Sequence, residues 1–392
     1  MSADFNPDGT ARSAEARDSS RVEMPAGTVW ERAGDVHYTR AAGRGSSRSR
    51  FVPLAELARR VGPERVRNPA ARAFPVRWPR AYLDLANPAD PADPILRMGL
   101  PDPRELEPDA LGSSDPVGEA ALSETPFLVR KYADRALLLV AARCHFYCRF
   151  CFRRSFPDGG HRDPSRAELE RALERLACLE GVRELILSGG DPLVLEDARL
   201  EWLVARVARM SGIERLRVHT RAPVVMPERV TPELCRILAG GPPCRIVTHF
   251  NHPVELTGAT SRVVELLGSH AIPLASQSVL LAGVNDSAET LELLLRQLAR
   301  EGIEAYYLHH TDHARGNAHF RVSIERGLAL HAELARRLPQ ELLPRYVIDL
   351  PDGSGKIEVR RLERLGPFEW RYVHPGGRVS QVREDAPKRA PL

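Results

Sequence analysis

From Arg135 onward, short apolar runs alternate with longer segments in which apolar positions recur every three to four residues. The runs are ALLLVAA (136–142), RELILSG (183–189), RLRVHT (215–220), RIVTHF (245–250), LASQSVLL (274–281) and AYYLHH (305–310). They have the length and aliphatic content of strands. Between and after them lie SRAELERALERLACLE (165–180), ARLEWLVARVARM (198–210), TPELCRILAG (231–240), TSRVVELLGSH (260–270), TLELLLRQLAR (290–300) and SIERGLALHAELARRL (323–338), each with an apolar stripe at helical spacing. Six strand–helix units in a row predict a parallel sheet, because a helical crossover is what joins parallel strands. The expected fold is α/β: a partial (β/α)6 TIM-like barrel with a helical N-terminal extension. Chemistry in such barrels gathers at the C-terminal ends of the strands.

The flanks read differently. Residues 1–48 are rich in Ser, Arg, Ala and Gly, lack periodicity, and are expected to be a disordered extension. Residues 49–130 carry helical patterns (PLAELARRVG, PRELEPDAL) among many prolines, which predicts a helical, loop-rich region and no sheet. The barrel is expected over 131–340, a C-terminal segment over 341–372, and a flexible tail over the polar, Pro/Gly-rich residues 373–392. Hydrophobic residues make up 43% of the 392, enough for a sizeable core. The net charge of +4 implies no polyanionic partner, so nucleic acid is not expected. No apolar run is long enough to cross a bilayer, and the opening residues lack the apolar core of a secretory signal. The expected location is a reducing cytoplasm.

Cysteine usage then changes the picture. Cys144, Cys148 and Cys151 are spaced C-x3-C-x2-C, directly after the first barrel strand. Three thiolates so placed can ligate three irons of one [4Fe–4S] cluster, leaving the fourth iron open to chelate a small molecule. A zinc knuckle is the competing reading and needs a fourth ligand, for which His145 or His161 is available. Cys178, Cys235 and Cys244 lie in apolar contexts and read as packed core residues. Ser188-Gly189-Gly190-Asp191 ends the second strand, where two glycines let a ligand approach the backbone. Lys356 closes the loop GSGK, and taken alone a lysine in such a loop reads as a solvated surface charge. The glycine spacing is not that of a phosphate-binding Walker loop.

The cysteine segment resembles that of the radical S-adenosylmethionine enzymes. The match extends through KYADRALLLVAARCHFYCRFCFRR (131–154), LSGGDPL (187–193), HTRAPVV (219–225), THFNHP (248–253), QSVLLAGVND (277–286), YYLHHTDHARGNAHFR (306–321) and DLPDGSGK (349–356). In this order the stretches resemble the lysine 2,3-aminomutase family, which includes the elongation factor P-type enzymes. The resemblance implies a barrel of the radical S-adenosylmethionine type and three cofactors: the cluster on Cys144, Cys148 and Cys151, S-adenosylmethionine, and pyridoxal 5′-phosphate. It assigns Lys356 as the catalytic, cofactor-linked lysine, with Arg135, Tyr132 and His249 around pyridoxal phosphate. Ser188, Gly189, Gly190, Asp191 and Gln277 are assigned to cofactor binding, the first four on S-adenosylmethionine. Arg153 matches the arginine that binds the substrate carboxylate, and Asp312 and Asp349 the two aspartates that hold the distal ammonium.

The implied activity moves the α-amino group of L-lysine to the β-carbon, by way of a Schiff base and a 5′-deoxyadenosyl radical. The same shift on arginine or ornithine, or a radical enzyme without pyridoxal phosphate, are the alternatives. A glutamate-specific relative is expected to replace one of the two aspartates, and here neither is replaced. The expected partners are a small amino acid and an electron donor such as flavodoxin or ferredoxin. A homo-oligomer remains open. Zinc-bearing members of the family carry a cysteine after GVND; here Ser287 follows it and no cysteine occurs after Cys244, so the intersubunit zinc site is expected to be absent.

Overall fold

The computed structural model describes residues 50–155 and 162–385; the extension expected over 1–48 lies outside them, as does His161. Ten strands form one sheet in chain order: β1 (Ser123–Thr125), β2 (Leu128–Val129), β3 (Arg135–Ala141), β4 (Glu184–Gly189), β5 (Arg215–His219), β6 (Cys244–Thr248), β7 (Leu274–Val279), β8 (Glu304–His309), β9 (Arg345–Asp349) and β10 (Lys356–Glu358). Strands β3 to β9 are all parallel. The antiparallel hairpin β1–β2 adds to β3, and β10 adds antiparallel to β9. Residues from β3 and from β9–β10, at opposite ends of the strand order, line one cavity. The sheet is therefore curled into an open barrel.

The six anticipated strands and six anticipated helices are present. The helices are Arg166–Ala177, Asp197–Ala208, Pro232–Ala239, Gly258–Gly268, Ala288–Arg300 and Ile324–Arg337. Local chemistry sets their starts. Ser165 and Glu168 form a reciprocal capping box, and Thr231, Ser287 and Ser323 each accept a backbone N–H of the first turn. Ser287, which stands where zinc-bearing relatives carry cysteine, is thus a helix cap. The buried stripes, such as Leu291, Leu294, Leu295 and Leu298, pack on the sheet.

Four expectations need correction. A seventh parallel strand, β9, continues the barrel beyond residue 340; its five residues lie between Pro344 and Pro351 and carry no long apolar run. The region 49–130 contributes the β1–β2 hairpin besides its short helices, because Leu128 and Val129 are buried against β3. The tail expected to be flexible contains β13 (Val379–Arg383), which with β11 (Glu363–Gly366) and β12 (Glu369–Val373) forms an antiparallel sheet. Trp370, Tyr372, Ser380 and Val382 alternate inward along β12 and β13, and the Pro/Gly-rich stretch is the turn, closed by His374 N–H to Arg378 O at 2.8 Å. Cys178 is exposed at the end of its helix, whereas Cys235 and Cys244 are buried as expected. No helix among the described residues is long and apolar enough to cross a membrane.

The segment that follows β3 is anchored to the N-terminal region by a buried charge cluster. Arg149, fully buried, donates to both oxygens of Glu105 (2.8 and 2.5 Å) and to the carbonyls of Phe74 and Pro75 (3.1 and 3.0 Å). Arg154 adds a further bond to Glu105 and reaches Gly316 O at 2.6 Å. Burial opposes ionisation of Glu105, but the two guanidinium groups prevail and hold its carboxyl below the usual range. Removing one member strands buried charge. Glu105→Ala is expected to lose about 3–5 kcal/mol in a urea unfolding titration; a loss within about 1 kcal/mol would show that Arg149 finds compensation elsewhere.

Candidate active site

A cavity of about 320 Å³ opens among the C-terminal ends of the strands. Every site residue anticipated from the sequence lines it: Tyr132, Arg135, Cys144, Cys148, Cys151, Arg153, Ser188, Gly189, Gly190, Asp191, His249, Gln277, Asp312, Asp349 and Lys356.

The three cysteines lie on the loop that leaves β3, with a turn closed by Cys151 N–H to Cys148 O at 3.1 Å. All are free thiols. Burial pushes the Cys151 thiol up to about 11, with the neighbouring Cys148 adding to it, and burial raises Cys144 and Cys148 as well. The three side chains are partly buried and form no disulfide, so all three sulfurs are available as thiolate ligands once bound iron displaces their protons. Among the described residues no three His, Cys, Asp or Glu side chains converge on a single-ion site. His145 turns Nε2 to Leu193 O at 3.1 Å. Three thiols gathered on one loop are the donor set of a cluster that leaves one iron without a protein ligand.

The SGGD turn departs from expectation in one respect. A Cβ on Gly189 or Gly190 would lie 2.3 Å from the carbonyl oxygen of Ala141 or Arg143, so these glycines are required first by the closeness of β4 to the end of β3. Gly189 also has φ +114, where other residues are strained. The Asp191 carboxylate is already engaged: it accepts from Leu193 N (2.9 Å), Thr220 Oγ1 (2.5 Å) and Arg221 N (3.0 Å). It ties the ends of β4 and β5 together.

Lys356 faces Asp349 because the two are directly paired in the β9–β10 hairpin. Its Nζ bonds Asp349 Oδ2 and lies 3.3 Å from His309 Nδ1, and its N–H donates to the Tyr132 hydroxyl at 3.0 Å. The other Asp349 oxygen accepts from Lys131 Nζ at 3.1 Å. Burial opposes the charge on Asp349, but the two lysines prevail and hold its carboxyl well below the usual range. Asp312 is the opposite case. Its carboxylate has no hydrogen-bond or ion-pair partner among the described residues, and burial, reinforced by the negative charge of Asp349, raises it to about 7. Arg153 is held in a fork by Glu119 (Nε 3.0 Å, Nη2 2.5 Å), while its Nη1 reaches Ser188 Oγ (3.4 Å) and Gly189 O (3.3 Å). The Arg135 guanidinium stacks on the Tyr132 ring at 4.7 Å. His249 contacts Gln277 (3.1 Å), and burial drives it down to about 3; His219 and His309 are lowered too, again mainly by burial. All three rings are therefore neutral. The lysine loop is braced from the C-terminal sheet: Ser380 Oγ donates to Asp352 Oδ2 (2.5 Å) and contacts His374 (2.7 Å).

Glu119, Lys131, His219, Arg221 and His309 were not anticipated. Arg221, His219 and His309 fall inside motifs the sequence singled out, HTRAPVV and YYLHH. Glu119 lies in an irregular stretch and has no sequence signal.

An open barrel with a partly buried three-cysteine loop at its mouth defines a radical S-adenosylmethionine protein, and the Radical SAM superfamily matches residues 138–294. The chain belongs to the lysine 2,3-aminomutase family within it. It is 36% identical over 278 residues to the L-lysine 2,3-aminomutase of Clostridium subterminale, covering 71% of this chain and 67% of that one. A putative L-lysine 2,3-aminomutase of Aquifex aeolicus is 37% identical over 277 residues, 70% of this chain and 75% of that one. The glutamate 2,3-aminomutase of Clostridioides difficile is 33% identical over 275 residues, 70% and 65%. Membership in the superfamily implies a [4Fe–4S] cluster and S-adenosylmethionine. After anaerobic reconstitution the chain is expected to hold about four irons and four sulfides, and Cys148→Ala to lose most of both in elemental and sulfide analysis. Stoichiometric zinc with little iron would contradict the assignment.

Proposed function

We propose that this chain is an isomerase that moves the α-amino group of lysine to the β-carbon, giving β-lysine. The carrying observation is the convergence of four features on one cavity: the three-cysteine loop, a lysine on a glycine-bearing loop, an arginine in a fixed fork, and an unpartnered buried carboxylate. When bound, pyridoxal phosphate supplies a carbonyl and a conjugated electron sink, and the cluster with S-adenosylmethionine supplies the initiating radical once an external donor of the flavodoxin or ferredoxin kind provides an electron.

The protein's own side chains have definite tasks in this reading. Lys356 would carry the pyridoxal phosphate, with Asp349 stabilising a proton on its Nζ and neutral His309 beside it able to accept one. Arg135 bonds Asp134 through Nε at 3.0 Å, and its Nη groups make no hydrogen bond among the described residues, so they are free for a phosphate. Arg153, its plane fixed by Glu119, would take the substrate carboxylate. Asp312 would take the distal ammonium. Asp349 has both oxygens occupied by lysines, so it can join Asp312 only if Lys356 or Lys131 lets go. An unpaired carboxylate disfavours an acidic side chain, which separates this site from one suited to glutamate. Arginine and ornithine meet the same demand, so a panel assay distinguishes them from lysine.

In an anoxic assay, β-lysine is expected to form only with dithionite, S-adenosylmethionine and pyridoxal phosphate all present. Turnover of glutamate without lysine would defeat the role given to Asp312. Borohydride reduction of the pyridoxal phosphate-loaded protein is expected to leave a pyridoxyl group on the peptide containing Lys356, read by mass spectrometry. Finding the label on Lys131 would reassign the anchor.

The titration of Asp312 gives a pH dependence. Below about pH 7 its carboxyl is protonated and attracts an ammonium weakly; above that it is ionised. The KM for lysine is therefore expected to fall as pH rises from about 6 to 8. In Asp312→Asn the fall should vanish and KM should rise about tenfold or more, the loss of one charged hydrogen bond. An unaltered pH profile in the variant would exclude Asp312 as the titrating group.

A further inference from the structure

Two of the distinctive sequence stretches, HTRAPVV and THFNHP, contribute only His249 to the tasks above. Arg221 of the first and the backbone N–H groups of Asn251 and His252 of the second meet Glu255 and Tyr82 in a buried network beside the cysteine loop. Arg221, on the segment leaving β5, is 7% exposed. Its Nη1 donates to Cys148 Sγ at 3.0 Å. Its Nη2 donates to Glu255 Oε1 (2.6 Å) and to the Tyr82 hydroxyl (2.9 Å).

Glu255 is itself fully committed. It accepts from Tyr82 OH (2.6 Å), Asn251 N (2.5 Å) and His252 N (3.0 Å) as well as from Arg221. The rings of Tyr82, Phe146 and Phe150 surround the guanidinium carbon at 5.3, 5.2 and 5.4 Å. The backbone N–H of Arg221 is pinned by Asp191, the carboxylate that the SGGD turn spends on tying β4 to β5. The guanidinium is therefore dry and fixed, with one N–H aimed at a sulfur. Its Nε is buried without a partner, so the geometry forgoes one ordinary hydrogen bond while retaining the contact with sulfur.

We propose that Arg221 is a positioning residue that raises the reduction potential of the cluster held by Cys144, Cys148 and Cys151. An electron entering the cluster from an external donor adds negative charge that spreads onto its sulfur ligands. A donor hydrogen bond and a positive charge next to one of those ligands stabilise the reduced state more than the oxidised state. The apolar surroundings keep that effect from being screened. Glu255 offsets part of the charge, and because Glu255 cannot move, the offset is constant. The consequence for function is an easier first electron, which every later step requires.

The inference rests on the reading of the three cysteines as cluster ligands, so iron and sulfide are measured first. A wild-type protein without cluster overturns that reading and leaves no potential to compare. With cluster present, the midpoint potential is read by a reductive titration followed by electron paramagnetic resonance, with no substrate added. Arg221→Gln with unchanged iron and sulfide is expected to titrate at lower potential than wild type. An equal or higher potential overturns the proposal. Should Arg221→Gln fail to fold or to hold cluster, Arg221→Lys decides. It keeps the charge, but its single ammonium cannot bond Glu255, Tyr82 and Cys148 together. A potential below wild type supports the geometric role, and one equal to wild type overturns it.

Discussion

The site depends on contacts across the open side of the barrel. Strands β3 and β10 lie far apart in the order of the sheet and share no ladder, yet the residues just before β3 grip the β9–β10 hairpin. Lys131 bonds Asp349, the Tyr132 hydroxyl accepts from the Lys356 N–H, and Gly118 lies so close to Gly353 that a side chain on either would clash. These contacts bring the hairpin round to face the cysteine loop. Without them the lysine and the three thiols would occupy opposite margins of a curved sheet. The proposed reaction, with two organic groups in contact, would need that convergence, because much of the rate advantage in such chemistry comes from holding reactants together.

Charge inside the cavity is arranged by pairing, with one deliberate remainder. Glu119 answers Arg153, and Asp349 answers both Lys131 and Lys356. Each pair fixes a side chain whose direction matters. Asp312 is left over, half-buried against the cavity yet deep in the fold, and burial and a like-charged neighbour press it towards neutrality. An arriving cation relieves that pressure. In the proposed reading, recognition falls to Asp312 and positioning to Asp349, two aspartates that the sequence presents as equivalent. The three histidines are kept neutral by burial, so they add hydrogen-bonding capacity without adding positive charge to the cavity.

Much of this was legible in the chain, for identifiable reasons. The barrel strands and helices announce themselves because burial on both sheet faces and capped, striped helices impose strong local patterns. Strand β9 and the C-terminal hairpin did not, since RYVID is short and the HPGG turn resembles linker composition. The cysteines stood out by their spacing, whereas Lys356 and the two aspartates were picked out only by the family resemblance of the stretches that contain them. A carboxylate after two glycines looks like a ligand-binding group, and only the positions of Thr220 and Arg221 reveal that Asp191 also ties two strand ends together. Glu119 lies outside every distinctive stretch, and the contacts from Lys131 to Asp349 and from Arg221 to Cys148 arise from long-range approach of separate segments, which no local pattern encodes.

The central claim is that three thiolates leave one iron of a cluster open at this cavity. It is tested most directly by electron paramagnetic resonance of the anaerobically reconstituted, dithionite-reduced protein, recorded with and without S-adenosylmethionine. The expected result is the signal of a reduced [4Fe–4S] cluster whose g-values change when S-adenosylmethionine is added, because the molecule binds the open iron. A reduced-cluster signal unmoved by S-adenosylmethionine, or no cluster signal at all, would contradict it.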